Sequence, residues 1–252
     1  MMLAFLSPAK NMRPCAAPAA ALTAPVFEER AAALARLLRE YSPWQLESLL
    51  KVNPALALKA FDAYAAFDTA APSPALLTYY GLAFQHMDPA SFTAEDLAFA
   101  QEHVRILSAL YGLLRPLDGI RPYRLEMQAP FRVEGRSLYA YWDDGPARAL
   151  LAQGGPVINL ASAEYANLIL PHLAPGERCV TCSFLTWRRG KLVMPATAAK
   201  MARGRMVRFL VRNRLDDPEG LKAFDWDDYA FAPELSTDSR YVFTRGEESA
   251  CL

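Results

Sequence analysis

Hydrophobic residues along this chain occur in two kinds of run, short uninterrupted runs and longer runs with helical spacing. Leu3–Leu6 and Val157–Leu160 are uninterrupted, which predicts two buried strands. In residues 26–41 the apolar positions recur every three or four residues, which predicts an amphipathic helix. A similar stripe begins at Thr93 and continues through Leu114, which predicts one long helix over residues 93–114.

The remaining pattern completes a mixed α/β chain. We predict further a hairpin over 131–142 turning at Glu134-Gly135, a helix over 162–169, a second hairpin over 178–194 turning at Arg189-Gly190, a helix over 197–215 and a strand over 241–244. No internal repeat, low-complexity tract or flexible linker divides the sequence. We therefore predict a single domain over residues 1–252, of mixed α/β (α+β) class, with a central sheet flanked by helices.

Residues 42–67 contain two predicted helices joined by a short break. Ser42 is placed to cap the first helix in a capping box with Gln45, and Asn53 is placed to cap the second. The break Lys51-Val52-Asn53 resembles the hairpin of a helix-hairpin-helix element, in which backbone amides and a helix N-terminus hold a DNA phosphate. Lys51 and Asn53 stand where such hairpins have glycine, so an ordinary antiparallel helix pair remains the alternative.

Charge is balanced overall but not locally. The 252 residues are 53% hydrophobic and 21% charged, with a formal net charge of zero, so the whole-chain charge predicts no partner. Residues 178–214, however, contain ten Lys or Arg and no acid, and the chain from residue 215 onward is acidic. Such asymmetry indicates either an anionic partner or two segments that neutralise each other.

The predicted basic helix separates its cations by face. At about 100° per residue, Arg205, Arg208 and Arg212 share one narrow sector. We predict that these three contact DNA phosphates, unless acids of the C-terminal segment such as Asp227 neutralise them. Lys200 and Arg203 lie nearer the apolar boundary, which favours a cleft over solvent.

Polar residues follow the two apolar runs at the ends where ligands bind in α/β sheets. Lys10 follows the first run, while Asn159, Ser162 and Glu164 belong to or follow the second. If the two strands are parallel neighbours, these four side chains converge beyond their carboxyl ends. A partly desolvated lysine there has a lowered pKa and serves as base or nucleophile. The alternative is structural, with Ser162 capping a helix and Glu164 neutralising Lys10.

Neither cysteines nor histidines predict a metal or cofactor site. Cys179 and Cys182 form a C-x-x-C inside a predicted strand, where this spacing places the thiols on opposite faces. Reduced thiols therefore fit better than zinc or a redox dithiol. The histidines, His86, His103 and His172, are scattered without ligand spacing.

Membrane association is not predicted. No apolar run reaches the roughly 20 residues needed to cross a bilayer. The alanine-rich residues 16–24 are interrupted by prolines and follow a predicted strand, so they are not predicted to be a signal segment.

Residues 107–127, LSALYGLLRPLDGIRPYRLEM, concentrate charge and turn chemistry in one segment. This segment resembles the signature of the YaaA family, bacterial proteins associated with resistance to peroxide stress. The same family is matched, in the expected order, by SPAKNM at 7–12, TYYGLAFQ at 78–85, NLASAEY at 159–165 and AAKMARGRM at 198–206. One departure is Gln128, where the family pattern has glycine.

The resemblance implies a cytosolic protein with a mixed α/β fold and affinity for DNA, linked to limiting free intracellular iron, but no settled reaction. We therefore predict a peroxide-stress protein that binds the DNA backbone and affects iron only indirectly. The predicted DNA contacts are Lys51, Val52 and Asn53 of the break and Arg205, Arg208 and Arg212 of the basic helix. One alternative is an enzyme acting on a nucleobase or nucleotide, with Lys10 as nucleophile and Glu164 as acid or base. Another is a small-molecule binder without catalysis. Enzymatic activity and oligomeric state remain open.

Overall fold

A central sheet crosses the molecule in the computed structural model, which describes residues 1–13, 15 and 22–246. The strands are β1 Leu3–Leu6, β2 Ser73–Pro74, β3 Val104–Ser108, β4 Gly112–Leu114, β5 Gly119–Ile120, β6 Val157–Leu160, β7 Cys179–Arg188, β8 Lys191–Val193, β9 Ala230–Phe231 and β10 Arg240–Arg245. The helices are α1 Glu28–Arg39, α2 Pro43–Leu50, α3 Pro54–Ala65, α4 Ala75–Thr78, α5 Leu82–Met87, α6 Ala94–His103, α7 Leu138–Trp142, α8 Gly145–Leu151, α9 Ala163–Ala166 and α10 Ala196–Arg212.

The order of strands across the main sheet is β4-β3-β1-β6-β7-β10-β9, with β8 paired to the end of β7. The five central strands are parallel, whereas β4, β8 and β9 add antiparallel edges. Strands β2 and β5 form a separate antiparallel pair. The predicted mixed α/β fold with a central sheet flanked by helices is confirmed. The extent of the domain stays a prediction.

β1 lies at the centre of the sheet, between β3 and β6, and all four of its residues are buried. An uninterrupted apolar run is typical of a parallel strand covered on both faces. Leu6 pairs with Leu160, so β1 and β6 end together at one edge. The predicted pair of buried strands is confirmed, and this shared edge positions the candidate site.

The predicted long helix over residues 93–114 is wrong in its second half. The capping box at Thr93 is present, but α6 ends at His103, and the chain continues as β3 and β4. All five residues of β3 are buried, and apolar side chains on both faces of a strand also satisfy a helical stripe. The reversal between the two strands uses Gly112, whose φ of +69° is unfavourable for other residues.

The hairpin predicted over residues 131–142 is only half right. A tight turn does occur at Glu134-Gly135, where both residues have positive φ. The second half is helix α7 instead of a strand, because Ser137 caps it through the backbone N–H of Ala140. The helix predicted over 162–169 is shorter than expected, since α9 ends at Ala166.

Other predicted elements are confirmed with shifted ends. Strands β7 and β8 form the second hairpin, α10 is the basic helix and β10 is the last strand. Helices α2 and α3 are the pair within residues 42–67, and Gln45 completes the predicted capping box with Ser42. Lys51 has a left-handed backbone with φ of 51°, and Asn53 accepts the N–H of Leu56 at 2.9 Å. The identity of this pair as a helix-hairpin-helix element stays a prediction.

No helix in the described parts of the chain has the length and apolar character needed to cross a membrane. Residues 16–21 lie outside the described residues, so the alanine-rich segment is described only from residue 22 onward.

Asp96 joins the start of α6 to the end of α10. Its carboxylate accepts the N–H of Thr93 at 3.0 Å and pairs with Arg212 at 2.8 Å and Arg214 at 2.7 Å. The Thr93 N–H, followed by the two arginines, holds the pKa of Asp96 below its usual value. A folded-state pKa below the unfolded value means that stabilisation is present above the unfolded pKa and is lost as pH falls through the folded one.

We therefore expect Asp96→Asn to lower the Tm at pH 7, and this difference from wild type to shrink progressively as the pH falls below about 4. Thermal unfolding followed by circular dichroism between pH 7 and pH 3 measures it. Glu95→Gln, an exposed acid in the same helical turn, is the control and should change little. A constant difference at every pH would show that the carboxylate charge is not the stabilising feature.

Candidate functional site

The carboxyl ends of β1 and β6 are joined by a pair of serines. Because Leu6 and Leu160 are in register, Ser7 and Ser162 leave the sheet side by side. The Oγ of Ser7 accepts the backbone N–H of Ser162 at 2.9 Å and donates to its Oγ at 3.2 Å. This contact holds the two strand ends together at the edge where α/β proteins bind ligands.

A cavity of about 290 Å³ lies beyond these strand ends. Five parts of the chain form its wall. Three are continuous stretches: residues 6–11 at the end of β1, residues 80–84 at the start of α5, and residues 123–126. The other two are the end of β6 and the residues after it, with Leu160, Ser162, Glu164 and Tyr165, and helix α10, with Lys200 and Arg203. The signature-like segment 107–127 therefore contributes one wall of this cavity.

Lys10 and Glu126 form an ion pair at one side of the cavity. The Nζ of Lys10 lies 2.6 Å from the carboxylate of Glu126, and 60% of the lysine side chain is exposed. Arg124 lies beside them, 3.9 Å from the other oxygen of Glu126, and its Nε is buried without a hydrogen-bond partner among the described residues. Glu164 accepts the backbone N–H of Gln128 at 3.3 Å. The departure from the family at Gln128 is accommodated, because this residue does not adopt a positive φ.

Arg203 is a desolvated cation at the cavity wall. Burial lowers the pKa of its guanidinium, and its Nε has no hydrogen-bond partner among the described residues. Lys200 precedes it by three residues on α10, so both side chains project from one helix face. The adjacent residue Gly204 is pressed against α5, because a Cβ on it would overlap the carbonyl oxygen of Ala83. This contact brings Arg203 to the cavity.

Apolar and aromatic side chains form the rest of the wall, among them Leu125 and Phe84. The hydroxyl of Tyr123 lies 2.7 Å from that of Tyr79 and 2.8 Å from the Oγ of Ser108. Burial raises the pKa of Tyr123 to about 12, and burial also raises that of Tyr165 well above the usual value. Both phenols are therefore neutral at physiological pH.

Five of the six residues predicted for the cleft lie at this cavity: Lys10, Ser162, Glu164, Lys200 and Arg203. Asn159 does not line it. Side chains alternate along a strand, so Leu160 faces the cavity while Asn159 donates to Thr181 of β7 at 3.2 Å and accepts the N–H of Ala161. Any catalytic role of these residues stays a prediction.

The purely structural alternative, in which Ser162 caps a helix and Glu164 neutralises Lys10, does not match the contacts of these side chains. Ser162 occupies the N-cap of α9, but its side chain makes no capping bond and contacts Ser7 instead. Lys10 pairs with Glu126 and not with Glu164. Sequence reasoning missed Glu126 and Arg124 as cavity residues, although both belong to the charged signature-like segment, which was the available signal.

Two of the three arginines predicted to contact DNA have internal partners. Arg208 donates to Ser91 at 2.7 Å and to the carbonyl of Met87 at 3.0 Å. Arg212 pairs with Asp96 at 2.8 Å and donates to the carbonyl of Ser91. These contacts join α10 to the loop after α5, and phosphate contacts by the same side chains stay a prediction.

Arg205 differs from its two neighbours. Its guanidinium lies 5.7 Å from the ring centre of Trp226, and its Nε is buried without a hydrogen-bond partner among the described residues. Within residues 215–246, no acid forms an ion pair with Arg205, Arg208 or Arg212; Arg208 and Arg212 pair with Asp88 and Asp96, and Asp227 pairs with Arg245.

The break between α2 and α3 is connected to the cavity by α3 itself. Lys51 and Asn53 are exposed at one end of this helix. Near the other end, the hydroxyl of Tyr64 donates to the carbonyl oxygen of Arg124 at 2.5 Å. Eleven residues at 1.5 Å per residue place the break roughly 16 Å from this anchor.

The cysteines of β7 are not reactive thiolates, and the described residues contain no cluster of metal-ligating side chains. Burial raises the pKa of Cys179 to about 11 and that of Cys182 to about 12, so neither is a thiolate at neutral pH. Within residues 1–13, 15 and 22–246, no three histidine, cysteine or acidic side chains come together in a way that would hold a metal ion.

Fold and cavity together define an α/β protein with a predominantly cationic pocket at the carboxyl ends of its central parallel strands. A family model described as "Peroxide stress protein YaaA" matches residues 2–235. The chain belongs to the YaaA family of peroxide stress proteins, as its signature-like segments predicted.

Three bacterial proteins are similar to this chain over nearly their whole length. A protein named "UPF0246 protein" from Agathobacter rectalis is 39% identical over 246 residues, which cover 97% of this chain and 99% of that protein. A protein of the same name from Dechloromonas aromatica is 41% identical, covering 98% of this chain and 100% of its own. Another, from Lactiplantibacillus plantarum, is 40% identical over 96% of this chain and 98% of its own.

Proposed function

We propose that this protein limits peroxide damage by binding DNA through its phosphate backbone, without reading the base sequence. The observation that supports the proposal is the charge of the cavity, whose wall carries four cations and two carboxylates. A surplus of two positive charges at a partly apolar site favours an anionic ligand, and DNA is the polyanion that peroxide damages.

The α2–α3 break supplies a second cationic contact in this proposal. Lys51 holds an exposed, left-handed turn, and the N-terminus of α3 carries the positive end of the helix dipole. Helix α3 places this turn roughly 16 Å, measured along the helix axis, from Tyr64, which contacts Arg124 of the cavity wall. In this proposal one duplex contacts both the turn and the cavity.

Protection follows from the same electrostatics. Ferrous iron held at phosphates reduces peroxide by one electron, giving ferric iron, hydroxide and a hydroxyl radical beside the sugar. Lysine and arginine side chains that neutralise phosphates release the condensed cations there. In this proposal the effect on iron is therefore indirect, through displacement of metal from DNA.

We expect Lys51→Glu to weaken duplex binding at low salt and to flatten the slope of log affinity against log salt by about 0.9, the value for one lost phosphate contact. Fluorescence anisotropy of a labelled duplex between 50 and 200 mM salt measures both quantities.

Lys191→Glu is the matched control for this experiment, because it makes the same charge change at an exposed position on β8. Its salt slope should equal that of wild type. Equal slopes for both variants and wild type would remove the break from the DNA interface.

A second candidate function, an enzyme acting on a nucleobase or nucleotide, is favoured by the cavity itself. Its nucleophile would be Lys10, but activation of a lysine requires desolvation. The side chain is 60% exposed and pairs with Glu126 at 2.6 Å, so it is not desolvated. The geometry thus does not favour Lys10 as a nucleophile, and a role of Glu164 as general acid or base stays a prediction.

A further inference from the structure

One cation at the cavity wall, Arg203, forms no ion pair with any of the described residues. Lys10 and Glu126 pair with each other at one side. Arg203 is desolvated, and its Nε has no hydrogen-bond partner among the described residues. Removing a guanidinium from water without a counter-charge is strongly unfavourable. A site that keeps this charge is typical of one that receives an anion.

The chemistry of the cations favours a phosphate. The planar guanidinium presents paired N–H donors that match two phosphate oxygens. Lys200 projects from the same face of α10 and adds a point charge beside it. Arg124 contributes a second buried Nε without a partner among the described residues.

The remainder of the wall favours a flat, largely apolar group. Phe84, Leu125, Leu160 and Tyr165 line it, and Tyr165 is a neutral phenol. Aromatic side chains contact the faces of planar rings favourably, and every nucleobase has such faces. A volume of about 290 Å³ is near the lower end of small-molecule pockets, roughly 300 Å³. This size fits one nucleotide and not two.

We infer that the cavity binds a single nucleoside monophosphate unit, with the phosphate at Arg203 and Lys200 and the base against the wall formed by Phe84 and Tyr165. This inference deepens the proposed function. It rests on the proposed function only where the bound nucleotide comes from DNA. The unit is either a free nucleotide or a nucleotide turned out of a DNA strand.

Calorimetric titration with 2′-deoxyadenosine 5′-monophosphate tests the free-nucleotide source. Wild type is expected to bind it at least about 30-fold more tightly than deoxyadenosine, because a charge-assisted phosphate contact is missing from the nucleoside. Arg203→Met, which keeps the aliphatic stem, should lose at least about 30-fold in affinity. Arg36→Met, at an exposed position on α1, which contributes nothing to the cavity wall, should bind as wild type does.

Stability of the unliganded variants separates a ligand-binding arginine from a structural one. Replacing a desolvated, uncompensated charge by an apolar side chain of similar length should raise the Tm of Arg203→Met or leave it unchanged. A clear fall in its Tm would show that Arg203 serves the fold, and would overturn the inference.

A duplex containing 2-aminopurine tests the second source, since the emission of this base rises when it leaves the stack. Wild type should raise the emission and Arg203→Met should not. Nucleotide binding without any duplex binding would support the cavity inference while contradicting the proposed function. An emission change without free-nucleotide binding would assign the cavity to a nucleotide within DNA. The inference is overturned if Arg203→Met matches wild type in both assays, or if inorganic phosphate binds as tightly as the nucleotide.

Discussion

Gly204→Ala is expected to destabilise the protein by about 2 kcal/mol, although alanine is the better helix former by about 1 kcal/mol. Gly204 lies in the middle of α10, where the helix touches α5, and an added Cβ would overlap the carbonyl oxygen of Ala83. A backbone oxygen cannot rotate away as a side chain can, so the two helices must separate. Overpacking of this kind costs about 1–3 kcal/mol or more, which outweighs the gain in helix propensity.

The two effects have opposite signs, which makes the measurement decisive. Urea unfolding of both proteins should show a lower midpoint for Gly204→Ala, with an unchanged slope. Ala83 and Arg203 both line the cavity, so nucleotide affinity should fall as well. A variant that is more stable than wild type would contradict the close approach of the two helices.

The elements that the sequence predicts well are those decided by local chemistry. β1 and β6 follow from uninterrupted apolar runs, and the capping box at Ser42 follows from the hydroxyl and amide three residues apart. The 3.6-residue period also separates Lys200 and Arg203, which reach the cavity, from Arg208, which does not. These predictions need no knowledge of what packs against each element.

Predictions that depend on tertiary packing are less successful. The stripe that ends at Leu114 fits a helix and a buried strand equally well, and only the neighbouring β1 selects the strand. Because side chains alternate between the two faces of a strand, Asn159 points away from the cavity and towards Thr181, which the order of residues alone does not reveal. Glu126 meets Lys10 across 115 intervening residues of chain, through a segment without regular structure, so no local pattern marks the pair.

Within the signature-like segment 107–127, one buried acid, Asp118, stabilises the turn that precedes the cavity-lining residues 123–126. Its side chain is fully buried, and it accepts the hydroxyl of Thr23 at 2.6 Å and the backbone N–H of Arg115 at 2.8 Å. The Nε of Arg115 lies 3.1 Å from the same carboxylate. Burial raises the pKa of Asp118, against the opposing effect of these donors. The turn that leads to residues 123–126 therefore depends on a single desolvated carboxylate.

We expect Asp118→Ala to destabilise the protein by about 3 kcal/mol, because three donors lose their acceptor at a buried site. Asp118→Asn should cost less, since it keeps one carbonyl oxygen and removes the charge that burial disfavours. Asp68→Ala removes the acid of an exposed pair with Arg39 and should cost no more than about 1 kcal/mol. Urea unfolding ranks the three variants. If Asp118→Ala is no more costly than Asp68→Ala, the carboxylate does not hold the turn; if it ranks as expected, loss of nucleotide binding in the same variant ties this turn to the cavity.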